Sequence, residues 1–193
     1  MQSRLLMPFC LVPQQNVMVI ERMGRFDRIM GAGLGFKIPV FEQVAYMHSL
    51  KEQVLDIDSQ TAITRDNVKI KIDGVLYYRI TDAKLASYNV SRPIRAISLL
   101  AQTSMRGEMG KLVLDKTFEE RENLNHRIRS ALNNATSAWG IECLRYEIKD
   151  IKPPEQIKRS MDLQAESERI KRSKILNSEG ERQSKVNIAE GIK

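Results

Sequence analysis

An eleven-residue repeat fills the end of the chain: Ser167-Glu168-Arg169, Ser178-Glu179-Gly180 and Ala189-Glu190-Gly191 recur at a constant spacing of 11 residues. Ser173 with Ser184, Lys174 with Lys185 and Ile175 with Val186 keep the same phase. Eleven residues over three turns is about 3.67 per turn, which favours straight or slightly right-handed helix packing over a left-handed heptad coil. No aromatic follows Tyr146 and no proline follows Pro154. A helix this polar cannot bury itself against its own domain, so it needs neighbouring copies or partners. The repeat breaks off in mid-period at Lys193.

Ahead of the repeat the pattern changes. Asn16–Glu21, Gln43–Ser49 and Gln53–Asp58 read as short strands, and Gly24 to Pro39 as a turn-rich stretch. The clearest strand places Val68, Ile70 and Ile72 on one side and Lys69, Lys71 and Asp73 on the other. Gly74 suggests a bulge, after which Leu76, Tyr78 and Ile80 resume the apolar face. Asp82 or Thr81 caps a short helix over Ala83–Tyr88. Ser91 and Pro93 open a longer helix with Ile94, Ile97, Ala101, Met105 and Met109 at helical spacing. Thr117 to Glu120 has the capping-box pattern, followed by Leu124, Ile128, Leu132, Ala135 and Trp139 on one face up to Gly140. Ile141–Ile151 is a last strand, with Leu144, Tyr146 and Ile148 opposite Cys143, Arg145 and Glu147. Pro153-Pro154 ends it. Strands, a helical segment and a final strand make an α+β domain, a mixed sheet with packed helices. The expected division is an apolar segment at 1–12, the domain at 13–152 and a helix from 153 to 193. If continuous from Glu155, that helix reaches about 58 Å.

Composition narrows the function classes. The net charge is +7 with 42% hydrophobic residues, so acidic partners are favoured and a real core exists. Aromatic platforms interleaved with basic residues are missing, so a nucleic-acid module is not expected. Two cysteines, Cys10 and Cys143, exclude a disulfide framework. His48 and His126 have no Cys, Asp or Glu at ligand spacing, so no metal site is expected. The Gly31–Gly35 and Gly107–Lys111 stretches lack the spacing of phosphate-binding loops. No nucleophile elbow is present. The chain is read as non-enzymatic, without a cofactor.

The apolar run Leu5–Val12 is interrupted by Pro8 and is far short of the ~20 residues that a spanning helix needs. It suits shallow insertion in a membrane interface, with Leu5, Leu6, Phe9, Cys10 and Leu11 as the contact. Cys10 is there a position for acylation. Arg22, Arg25, Arg28 and Lys37 are expected to meet anionic head groups, each contributing ~1 kcal/mol if close to the surface. On the terminal helix the expected oligomerisation seam is Ile170, Ile175, Leu176, Val186 and Ile188. Glu168 and Glu179 would lie near Lys and Arg of adjacent copies.

Several blocks in order carry a resemblance. Val12-Pro13-Gln14-Gln15, Val19-Ile20-Glu21-Arg22-Met23-Gly24-Arg25-Phe26, Gly33-Leu34-Gly35 and Ile38-Pro39-Val40 resemble the opening of the stomatin/prohibitin/flotillin (SPFH, band 7) domain. Asp66-Asn67-Val68, Asp73-Gly74-Val75-Leu76-Tyr77, Leu100-Ala101-Gln102-Thr103, Met105-Arg106, Leu114-Asp115 and Arg121-Glu122 continue it. Trp139-Gly140-Ile141 and Leu144 to Ile151 are similar to the mitochondrial stomatin-like (paraslipin) branch. The resemblance implies a self-assembling scaffold that organises lipid microdomains and membrane protein complexes. It implies peripheral attachment to the mitochondrial inner membrane with affinity for cardiolipin. The partners it implies are further copies of the chain, membrane proteases, prohibitin-like scaffolds and respiratory complexes. A scaffold on a bacterial plasma membrane is the alternative. Arg4 is the only basic residue before Arg22, so no presequence is legible. Relatives continue past the repeat to a C-terminal assembly segment.

Overall fold

The computed structural model describes residues 8–191, which divide into two compact units, one ending at Lys152 and one beginning at Pro153. The first carries eight strands, β1 (Phe9–Val12), β2 (Asn16–Arg22), β3 (Arg25–Met30), β4 (Gly33–Phe36), β5 (Glu42–Ser49), β6 (Gln53–Ile63), β7 (Lys69–Ile80) and β8 (Ile141–Lys152). Its helices are α1 (Ala83–Tyr88), α2 (Pro93–Met109), α3 (Leu114–Glu119) and α4 (Arg121–Thr136), with a 3-10 turn at Ser137–Trp139. The second unit is α5 (Glu155–Gly191). The fold is α+β with a long terminal helix.

β7 alternates as its sequence dictates: Ile70, Ile72, Leu76, Tyr78 and Ile80 are buried, and the charged residues between them are not. It is the centre of the antiparallel sheet β6-β7-β8. α2 packs on β6 and α4 on β8, and the two helices pack on each other. Ile97, Ala101, Met105 and Met109 meet Leu124, Ile128 and Leu132 in this core, all within 1% of complete burial. Truncating any of the large ones to alanine costs about 2–5 kcal/mol. Tyr146 reaches into it and its hydroxyl donates to Met105 Sδ at 2.9 Å.

β2 is apolar on both sides because it is covered on both. Met18 and Ile20 pack with Val12 on one face, joined by Cys10 and Met30. Val17 and Val19 pack with Ala83 of α1 on the other, joined by Phe26 and Leu50. β2 lies between β3 and β5 in one sheet, and β1 pairs with β4 in a separate two-stranded ribbon.

Several expectations are corrected. Gly24–Pro39 is two strands, β3 and β4, joined by a short link, not a run of turns. Ser91 does not cap α2: Arg92 holds that position without a side-chain bond, and Ile94 is exposed. Thr117 lies inside α3, where its hydroxyl bonds the Val113 carbonyl, so the capping box is not formed. Ala135 and Trp139 are only half-buried, while Thr136 takes the buried position. In β8 the expected faces fail because pairing with β7 skips Leu144 and Lys149. Each one-residue bulge flips the alternation, so Ile141 and Cys143 are buried along with Tyr146 and Ile148. Gly74 does sit at a bulge, and Asp82 does cap α1, accepting from the Lys84 and Leu85 amides.

Candidate membrane-contact site

The run from Phe9 to Val12 is a strand, because its alternate residues have a place to go. Cys10 and Val12 turn inward onto β2. Phe9 and Leu11 turn outward, paired in register with Phe36 and Leu34 of β4. Directly opposite residues share one face, so the ribbon carries four apolar side chains on its outer side. They are 60% (Phe9), 75% (Leu11), 75% (Leu34) and 57% (Phe36) exposed, and Phe9 and Phe36 meet edge to face at 5.8 Å. Gly35 permits the ribbon's inner side to close, since a Cβ there would run into the Met30 thioether. Directly after β4, Ile38, Val40 and Phe41 are also exposed, and Val40 is held at φ +78°. A β-branched residue at positive φ is strained, and such strain persists only where surrounding structure fixes it.

Glu42 does the fixing. Its carboxylate is fully buried and accepts from Arg22 Nη2 at 2.6 Å, Arg28 Nη2 at 2.9 Å and the Ile38 amide at 3.0 Å. Arg28 also donates to the Phe36 carbonyl and pairs with Asp27. These bonds, those from Arg28 and Arg22 foremost, hold the Glu42 carboxyl down to about 2. The same contacts raise both arginines. A buried carboxylate with two guanidinium partners therefore ties β2, β3, β5 and the apolar loop into one corner.

This redistributes the expected contact residues. Phe9 and Leu11 belong to the exposed face, but Cys10 points away from it and is half-buried. Leu5 and Leu6 lie outside the described residues. Arg22 and Arg28 are committed to Glu42, Lys37 is 4% exposed, and only Arg25 of the four stands exposed without an ion pair among the described residues. Leu34, Phe36, Val40 and Phe41 were not singled out by the sequence. Their signal was period-two alternation in Leu34 and Phe36, hidden by the flanking glycines.

α5 is exposed along nearly its whole length, and among the described residues its charges form no ion pair within the helix. The expected single seam splits. At about 100° per residue, Ile170 and Ile188 share one side with Leu163, and Ile175 with Leu176 lies on the opposite side. These five are 48–65% exposed. The Val186 side chain lies outside the described residues.

Among the described residues no catalytic geometry accompanies these surfaces. His48 Nε2 lies 2.7 Å from Ser87 Oγ, but the serine hydroxyl donates to the Ala83 carbonyl at 2.7 Å. The histidine must then be the donor, the wrong polarity for activating a nucleophile. Cys143 is buried, and burial pushes its thiol up. Among the described residues no His, Cys, Asp and Glu cluster suits a metal, and no helix is long and apolar enough to cross a membrane.

The SPFH domain / Band 7 family model matches residues 11–182. The chain belongs to that family. It is 56% identical over 177 residues to the human stomatin-like protein 2, mitochondrial, covering 92% of this chain and 50% of that protein. An uncharacterised protein of Schizosaccharomyces pombe is 52% identical over 180 residues, covering 93% of this chain and 51% of the relative. A stomatin homologue of Pyrococcus abyssi is 39% identical over 158 residues, 82% of this chain and 59% of the relative. The chain thus spans about half the length of these curated relatives. The SPFH match begins at Leu11 within β1 and takes in β4, the Glu42 corner and most of α5.

Proposed function

We propose that this SPFH protein is a non-enzymatic membrane-associated scaffold that seats the β1–β4 ribbon in one leaflet and lays α5 against neighbouring copies. The carrying observation is the uncovered outer face of Phe9, Leu11, Leu34 and Phe36. Fully burying one such side chain is worth about 1.5–3 kcal/mol. Even a partly realised gain from four exceeds the ~1 kcal/mol that a single free arginine contributes at an anionic surface. Apolar insertion therefore leads, and head-group charge assists through Arg25. Lipid of cardiolipin type fits that order only as an assisting partner.

The two opposite apolar stripes of α5 support assembly. One stripe would serve a two-helix pair; two stripes serve a helix with a neighbour on each side, which extends into a ring or wall. At 3.6 residues per turn Leu163, Ile170 and Ile188, separated by 7 and 18 positions, stay on one side of a straight helix. The mitochondrial relative's name and its 56% identity favour the mitochondrial inner membrane as the site of action. Membrane proteases and respiratory complexes are then the candidate clients. The lower identity of the archaeal stomatin homologue, 39%, makes a prokaryotic plasma membrane the second choice.

Liposome flotation tests the seating. Leu11→Gln with Leu34→Gln changes only exposed positions and sets no like charges opposite one another, so circular dichroism should be unaltered while flotation is lost. Undiminished flotation of the folded double variant would reject the ribbon as the contact.

A further inference from the structure

Sulfur is gathered on the face of the β3-β2-β5 sheet that lies under the ribbon. Met30, Met18 and Met47 stand abreast there, one from each strand, because directly opposite residues share a face. The row behind it, on the α1 side, is Ile29, Val19 and Tyr46, and the next row on the ribbon side is Arg28, Ile20 and Val44. Isoleucine, valine and tyrosine suit a pleated surface, and methionine is not among the residues enriched there. A buried methionine such as Met18 fills irregular gaps in a core. Met47, at 59% exposed, fills none.

The ribbon adds a thiol to this row. Cys10 and Met30, both half-buried, pack against the cluster of Val12, Met18 and Ile20. Cys10 is the direct partner of Gly35, and the Met30 thioether occupies the space that a Cβ on Gly35 would take. Opposite Cβ positions are about 5 Å apart, so the Met30 sulfur lies on the order of 5 Å from the Cys10 Cβ. One thiol and three thioethers therefore lie together, covered by the ribbon at one end and open to solvent at β5.

We propose that Cys10, Met18, Met30 and Met47 form a binding site for copper(I). Thiolate and thioether ligands are soft and select this ion. The thiol gives its proton to solvent as the thiolate–copper bond forms, and the thioethers bind as neutral donors. One thiolate balances one monovalent cation, so the occupied site carries no net charge, which suits its apolar surroundings. A divalent ion would leave a positive charge uncompensated there. Zinc also takes several thiolate, imidazole or carboxylate ligands, and among the described residues no group of three His, Cys, Asp or Glu side chains offers them. The ion would join β1 to all three strands beneath it. The site faces inward, so it is independent of the lipid-facing side of the ribbon.

Anaerobic titration of the whole chain with copper(I), in competition with bicinchoninate, should give one tightly held ion per chain. X-ray absorption should show only sulfur neighbours around it. Met30→Leu with Met47→Leu nearly conserves volume and leaves the thiol in place, and it should weaken binding by at least about tenfold. Cys10→Ser should weaken it further, and circular dichroism should show both variants folded. Amide exchange in β1, β2 and β3 should slow with copper(I) and not with zinc. Failure to hold copper(I) against bicinchoninate, nitrogen or oxygen neighbours, or protection by zinc equal to that by copper(I) would overturn the proposal. So would undiminished binding by the methionine double variant, which marks an adventitious ion only, held by the thiol.

Discussion

One guanidinium nitrogen of Arg28 donates both to the Phe36 carbonyl, at 2.8 Å, and to Glu42, at 2.9 Å. The last residue of the apolar ribbon is thereby fastened to a buried ion pair in the neighbouring sheet. Among the described residues nothing covers the ribbon's outer face, so its orientation depends on its inner face and on this fastening.

The Glu42 corner should be sensitive to acid. Its carboxyl is held at about 2 in the folded protein against an ordinary 4.5. A depressed carboxylate contributes stability that is fully present above the unfolded value and is lost as pH falls through the folded one. Between pH ~4.5 and ~2 the β2–β5 amides should therefore exchange progressively faster. Glu42→Gln should exchange faster already at neutral pH and lose that part of the pH dependence. Parallel pH profiles for the two proteins, read by hydrogen–deuterium exchange, would contradict the assignment.

Membrane attachment should depend weakly on salt. With Arg22 and Arg28 engaged by Glu42 and Lys37 buried, Arg25 is the one of the four that stands exposed without an ion pair among the described residues. Liposome affinity should fall by less than about tenfold between roughly 0.05 and 0.5 M salt, and Arg25→Glu should cost ~1 kcal/mol or somewhat more. A steep salt dependence would mean that the arginines leave Glu42 at the surface.

The sequence showed most where pattern and packing coincide. β7 is alternating because one face meets α2 and α4 and the other meets water, and that reads directly. β8 does not, because its two bulges are set by pairing with β7 and leave no mark in its own residues. The ribbon was hidden for a different reason: Gly31, Gly33 and Gly35 look like turns, yet Gly35 serves the close approach of Met30. The Glu42 corner joins residues 14 and 20 positions apart, a separation no local period reveals. The arginines were legible as charge, and their partner was not.

Gly74 should tolerate no side chain. A Cβ there would collide with the Tyr146 hydroxyl and lie 2.8 Å from its ring. Gly74→Ala should destabilise the first unit by about 1–3 kcal/mol through overpacking. Tyr146→Phe, which removes the nearest atom, should recover part of that loss in the double variant. A double-mutant cycle by chemical denaturation gives the coupling, and strict additivity would place the cost elsewhere.

α5 is where a glycine works in the opposite sense. Gly180 sits inside the helix, with open space where a Cβ would be. It offers no contact to compensate the backbone freedom it loses, so Gly180→Ala should stabilise the helix by about 0.5–1 kcal/mol. Ser167 and Ser178, eleven positions apart, each bond the carbonyl four residues back, at 2.9 and 2.8 Å. Such back-bonding slightly weakens a helix. On the assembly proposed above, a polar helix carrying these residues, with no internal ion pair among the described residues, takes much of its order from contacts with other chains. Helix content by circular dichroism should then rise with protein concentration in the natural sequence and less in Gly180→Ala. Concentration-independent helicity in both would show that α5 stands without neighbours.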